Sequence, residues 1–154
     1  MTPEVKLYNL ASVDPVLQAI LGAPPYTDTN PFRWFDDPIP QRIWGPGKTC
    51  LRFQRVSTLS TYNQSGLMNL EWPRYQFDIL AKFKQDAREA ANAFTEFMGT
   101  VDLCSSDQFG SPVLSPPQAP CFLLNRREST DYKLQPYAAV VTMDWRVGNR
   151  TDLP

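Results

Sequence analysis

Residues that commonly carry enzyme chemistry are sparse in this sequence. None of its 154 residues is histidine, which excludes His-based general bases, Ser-His-Asp and Cys-His nucleophiles and most zinc sites. The cysteines Cys50, Cys104 and Cys121 lack CxxC spacing, so we interpret them as reduced, buried thiols. A nucleophilic role would require a nearby cation that lowers the thiol pKa. The sequence therefore predicts no catalytic residue.

The carboxylates show no spacing that specifies a metal site. Asp36 and Asp37 are adjacent, so they point apart in an extended segment. The other candidates are scattered along the chain: Asp78, Asp131 and Asp144. We interpret all of them as solvated or turn-forming groups. The stretch Gly45–Thr49 has the wrong spacing for a phosphate loop and is predicted to be a plain turn. We therefore predict neither a metal ion nor a cofactor.

Charge and composition favour a globular chain without a basic face. Hydrophobic residues make up 42% and charged residues 20% of the sequence, and 15 Lys+Arg stand against 16 Asp+Glu. General nucleic-acid binding is poorly supported, because like charges form no block. Met1–Lys6 lacks the basic start of a signal peptide, and no apolar window reaches bilayer length. The expectation is a chain made in the cytosol with no membrane partner.

One bent helix or two short helices are predicted at the N-terminus. Thr2 and Asp14 each stand before a proline, as an N-cap does before the first helical position, and Gly22 is placed to end the second helix. Ala23–Gln41 is rich in proline and has no period, which is typical of a long loop. Arg42–Trp44 is predicted to be a short strand.

The middle of the chain predicts two strands and a helix. Thr49–Thr58 and Tyr75–Phe83 alternate as strands do, the second with one buried and one mostly wet face. Leu59–Trp72 between them indicates a long hairpin connection whose tip projects beyond the sheet. Ala87–Val101 has the apolar spacing of an amphipathic helix.

The C-terminal part predicts a loop and a hairpin. Asp102–Pro120 is rich in serine and proline, and strands are expected at Cys121–Arg127 and Tyr137–Val147. We therefore predict one α+β domain over residues 1–154. Its mostly antiparallel sheet of about four to five strands has helices packed on one face and a single core. A long hairpin and the loops 23–41 and 102–120 extend from it.

Large apolar residues in the predicted connections are candidate interface positions. The aromatic residues of the first loop either fold back on the sheet or meet another chain. For the aliphatic residues of the hairpin connection the same choice leans toward a contact between chains. Two arginines could touch phosphate or an acidic partner, or could be ordinary strand-surface charges on opposite faces. The candidates are Tyr26, Phe32, Trp34, Phe35, Leu67, Met68, Leu70, Arg126 and Arg127.

The order of elements resembles the tail-completion or tail-terminator proteins of long-tailed bacteriophages. The stretches that carry this resemblance are Asp14–Gly22, Arg42–Trp44, Leu51–Val56, Tyr75–Ala81 and Asp86–Ala91. The passage from the strand at Tyr75–Ala81 into the helix is its most characteristic part. The chain departs from the family in its longer loops, 23–41 and 102–120.

The resemblance implies a structural virion protein at the head–tail junction, assembled in the cytoplasm of a bacterial host. Its copies would form a hexameric ring between the tail-tube protein and a head-side connector or stopper protein. DNA would pass through the lumen without sequence-specific binding, and near-neutral charge suits such a pore. The alternatives are a head–tail stopper or connector subunit of the neck, and a small ligand-binding or enzymatic α+β domain, which would show a deep pocket of polar side chains.

Overall fold

The computed structural model of the chain describes residues 2–36, 38–45, 47–63, 66–114 and 121–151, with the side chains of 59–68 outside this description. In chain order the elements are α1 (Pro3–Ala11), α2 (Pro15–Leu21), β1 (Trp34–Asp36), α3 (Gln41–Trp44), β2 (Cys50–Asn63), β3 (Gly66–Ala81), α4 (Lys84–Met98), β4 (Val101–Asp102), β5 (Val113–Leu114), β6 (Phe122–Asp131), β7 (Ala138–Arg146) and β8 (Asn149–Arg150). Across these ranges, no helix has both the length and the apolar character needed to cross a membrane.

Of the two arrangements predicted for the N-terminus, the structure has two short helices, α1 and α2. The side chains of Thr2 and Asp14 each accept a hydrogen bond from the backbone N–H three residues further on, and a proline follows each cap. Gly22 ends α2 with φ 127°, and a Cβ at this position would lie 2.8 Å from the carbonyl oxygen of Pro31. Only glycine fits this close approach in that backbone conformation.

The main sheet has six strands in a mixed arrangement. Its order is β1-β2-β3-β7-β6, and β8 also pairs with β3. All pairs are antiparallel except β1–β2, which is parallel. The α+β class is confirmed, but the sheet is larger than the four to five strands predicted. A separate two-stranded ladder, β4–β5, pairs Val101, which was expected to end the helix, and Asp102 with residues of the predicted irregular loop.

Two hairpins make up most of the main sheet. They are β2–β3 and β6–β7, and they meet along one seam where Arg74–Ala81 of β3 pairs with 139–146 of β7. Beyond the seam, the β2–β3 ladder continues to the pair Asn63–Gly66. The long connection predicted over 59–72 is therefore mostly continued strand.

The larger core lies between the sheet and the helices α1, α2 and α4. Phe77 is fully buried at its centre, with its ring centroid 4.9 Å from that of Phe94 on α4 and 5.9 Å from that of Trp34 on β1. The apolar stripe of α4 is buried as its spacing predicts: Ala87, Ala90, Ala91, Phe94, Phe97 and Met98.

A second, smaller core covers one end of the opposite sheet face. Its buried members are Ile39, Ile43, Trp44, Cys50, Leu80, Leu134, Ala138 and Val140. The indole N–H of Trp44 donates to the carbonyl oxygen of Pro136 at 2.7 Å, which ties α3 to the β6–β7 loop. The expectations of a single core, of helices on one face only and of a mostly wet second face on the strand Tyr75–Phe83 are therefore wrong.

The prediction of a strand at Arg42–Trp44 is also wrong, because these residues lie in α3. Ile43 and Trp44 are both buried in the second core. Consecutive residues on a strand point to opposite faces, whereas one helical turn can direct both toward the same surface. A strand does form earlier, at β1 in the predicted loop, where Trp34 packs against Phe77 and Phe94.

Candidate functional site

The sheet face opposite α4 carries a cluster of charged side chains. We call it the polar face; its charged members are Arg52, Arg74, Asp78, Arg127, Asp131 and Asp144. The Nε of Arg52 donates to Asp78 at 2.8 Å, and its Nη1 donates to Asp131 at 3.0 Å. The hydroxyl of Thr142 donates to the second oxygen of Asp78 at 2.7 Å. Strand alternation and the pairing of Arg52 with Asp78 bring these groups together.

A second ion cluster centres on Asp144. One of its carboxylate oxygens lies 3.4 Å from both Arg74 and Arg127. Asp144 and Asp78 are buried, so the expectation that they are solvated is wrong. Burial is possible because guanidinium groups neutralise each carboxylate. Asp131 matches the turn prediction in part, since it accepts from the backbone N–H of Lys133 at 2.8 Å.

A cavity of about 880 Å³ opens on the polar face. Arg52, Asp78 and Asp131 line it together with Gln54 and Gln76. The burial of Asp131 would raise its pKa, but hydrogen bonds from the Lys133 backbone and from Arg52 outweigh this and lower it. Such a carboxylate is a weak proton acceptor at neutral pH. The arrangement can bind polar groups through its amides.

Burial raises the pKa of each thiol, to about 12 for Cys50 and Cys121 and about 11 for Cys104. We therefore expect the native protein at pH 7.5 to react with a thiol reagent about a hundredfold or more slowly than the urea-unfolded chain, since only the thiolate attacks. Absorbance of the released chromophore measures both rates. A native thiol that reacts as fast as the unfolded chain would contradict this assignment.

Within the described ranges, no three or more Cys, Asp or Glu side chains come together in a group that could hold a metal ion.

The aromatic interface candidates divide between the core and the surface. Phe32 and Trp34 are buried and stacked on each other with centroids 6.3 Å apart, so they fold back on their own sheet. Phe35 is half-buried beside the second core. Tyr26 is exposed, and its hydroxyl donates to the carbonyl oxygen of Gly22 at 3.3 Å. Tyr26 is the one of these four with most surface left for a partner.

The other candidates lie on β3 and β6. The side chains of Leu67 and Met68 fall outside the described residues, and Leu70 is half-buried. Arg126 and Arg127 point to opposite faces, as alternation predicts: Arg126 donates to Asn92 of α4 at 2.8 Å, whereas Arg127 meets Asp144 on the polar face.

Strand β6 carries an exposed apolar segment that sequence reasoning missed. Phe122, Leu123 and Leu124 are 48%, 41% and 49% exposed at the edge of the sheet. A signal was available, because three consecutive apolar residues in a strand cannot share one face. At least one of them had to point away from the core.

Comparison of the sequence with models of protein families and with curated proteins found no match in either case.

Proposed function

We propose that this chain is a structural virion protein of the tail-terminator kind. Its copies assemble into a ring that caps the head-proximal end of a phage tail tube and joins the tube to the head connector. DNA passes through the ring. The proposal combines the resemblance in the order of elements with the surfaces that the fold leaves open.

The open edge of β6 carries the proposal. All of its residues except the last are exposed, and in the described ranges only β7 pairs with it. An edge strand presents unpaired N–H and C=O groups that template pairing with another chain. The strand contains no proline and carries exposed apolar residues at one end. These features favour assembly over an isolated monomer.

The internal pairing of the charges on the polar face also suits a ring through which DNA passes without being held. Arg52, Arg74 and Arg127 each pair with a carboxylate of the same chain. A guanidinium that is already neutralised gains less by binding phosphate, so this surface holds nucleic acid weakly.

Electron microscopy of the purified protein, alone and mixed with tail-tube protein, tests the proposed function. We expect closed rings, and in the mixture we expect these rings at the ends of tubes. Binding to a portal-side complex instead of tube ends would favour a stopper. Monomers in both samples would overturn the proposal.

The cavity on the polar face favours a second candidate function, a small-ligand-binding domain. The side-chain amides of Gln54 and Gln76 line the cavity and make no hydrogen bond within the described part of the chain. They could bind a polar ligand, whereas Arg52, Asp78 and Asp131 are already paired with one another. Thermal unfolding in the presence of a small-metabolite library tests this candidate, and a shift that Gln76→Leu abolishes would support it.

A further inference from the structure

The two edges of the main sheet carry complementary groups. We call the residues that the strand register aligns across the sheet a row. The register joins Asp36 of β1 to Phe53, Phe53 to Phe77, Phe77 to Met143, and Met143 to Arg126 of β6. Asp36 and Arg126 therefore lie on the same row and the same face of the sheet, at opposite edges. Both are exposed, and neither forms an ion pair within the described ranges.

Strand direction allows these edges to join. Because β1 runs parallel to β2 and the other pairs are antiparallel, β1 and β6 of one sheet point in opposite directions. When a second copy lies beside the first in the same orientation, with the same sheet face on the same side, its β1 is antiparallel to the first copy's β6. Each copy then uses two different edges, which makes the contact heterologous, the type that forms a ring when its rotation closes.

The exposed apolar residues at the start of β6, Phe122–Leu124, also have complementary apolar surface at the other edge. The β1–β2 pairing ends at Asp36 and Phe53, so beyond this row β2 is the edge strand, and the edge is set back by one strand spacing, about 4.8 Å. The bulged residue of β2 in this stretch is Val56, which is 49% exposed. The bulged residue of β6 is Leu124. Both bulges adjoin the row formed by Tyr75 and Trp145. In the joined sheet, Leu124 and its neighbours fill the recess beside Val56.

We infer that β6 of one copy pairs with the β1–β2 edge of a second copy, with an ion pair between Arg126 and Asp36 of the two copies. This inference rests on the proposed function for the existence of an assembly and names the surface that forms it. Pairing two β6 strands about a two-fold axis at mid-strand is less favourable, because it sets Arg126 and Arg127 of one copy against those of the other.

Charge reversal tests the contact by sedimentation velocity. We expect Asp36→Arg and Arg126→Asp each to raise the dissociation constant of the assembly about tenfold or more, because like charges then face each other. The double variant should return it to within about threefold of the unmodified protein. The neutral variants Asp36→Asn and Arg126→Gln should weaken assembly less. Thermal unfolding verifies that each variant is folded.

Matched controls are Asp86→Arg and Lys82→Asp, which reverse exposed charges where the central strand β3 passes into α4. Neither should change the dissociation constant by more than about twofold. If the protein assembles but the single reversals have no effect, or the double variant does not recover, the edge contact is wrong while the proposed function stands. If charge reversal and recovery occur but rings do not bind tail tubes, the edge contact stands and the proposed function fails. A protein that stays monomeric alone and with tube protein overturns both.

Discussion

Phe77→Ala should lower the free energy of unfolding by about 3–5 kcal/mol, the usual cost of removing a large buried ring. Phe77 is fully buried, and its ring contacts those of Trp34, Phe53, Tyr75 and Phe94. Rings from three strands and a helix cannot all move to fill the space, so a cavity remains. Urea denaturation followed by tryptophan fluorescence measures the change.

The matched control for this variant is Phe109→Ala. Phe109 is 79% exposed, so its truncation should change the unfolding free energy by less than about 0.5 kcal/mol. A stronger variant, Phe77→Asp, should not fold, because it buries an unpaired charge at a cost of several kcal/mol against a total stability of about 5–15 kcal/mol. Cooperative unfolding of Phe77→Asp would show that this face of β3 is not buried.

Arg52→Met should destabilise the protein by about 3 kcal/mol at pH 7. The variant leaves Asp78 and Asp131 without their shared guanidinium, and breaking a buried pair from one side typically costs 3–5 kcal/mol. The expected value is at the lower end because the Arg52 side chain is 23% exposed. The control, Arg88→Met, removes an exposed ion pair with Glu128 and should leave the free energy of unfolding close to that of the unmodified protein.

Acid should reduce the difference between Arg52→Met and the unmodified protein. The pKa of Asp131 is lowered in the folded chain, so the folded state binds fewer protons than the unfolded state. The stabilisation is therefore present above the ordinary carboxyl pKa of about 3.9 and is lost as pH falls through the lower folded pKa. Urea denaturation at pH 7 and pH 3 measures this. An equal difference at both values would contradict the role assigned to Arg52.

Elements with a strong period could be predicted from the sequence. The stripe of α4, from Ala87 to Met98, follows a spacing that only a helix satisfies, and it is buried as expected. The helix caps Thr2 and Asp14 depend only on the residues that follow them, so they could also be predicted from the local sequence. Tyr75 to Ala81 alternates clearly, and it forms the middle of the sheet.

Features that depend on distant contacts could not be predicted. Trp34–Asp36 is a strand because it pairs with β2 and packs on α4, not because of any local period. The second core brings Ile39 and Trp44 against Leu134 and Val140, far along the chain. The cluster of Arg52, Asp78 and Asp131 requires the strand register, which alternation alone does not supply. The open edge of β6 likewise becomes visible only once the strand order is known.

The single seam between the two hairpins has a consequence for the order of folding. Each hairpin joins residues that are near in sequence, so β2–β3 and β6–β7 can each form on the microsecond timescale. The seam joins residues that are 58 (Ala81 and Ala139) to 72 (Arg74 and Arg146) positions apart, and closing that loop costs more chain entropy. We therefore expect it to be the slow step of folding, and until it forms the inner edges of β3 and β7 are open as well as the edge of β6. A nascent chain thus has more than one edge able to capture a neighbour, and completing its own sheet leaves the outer edges for assembly.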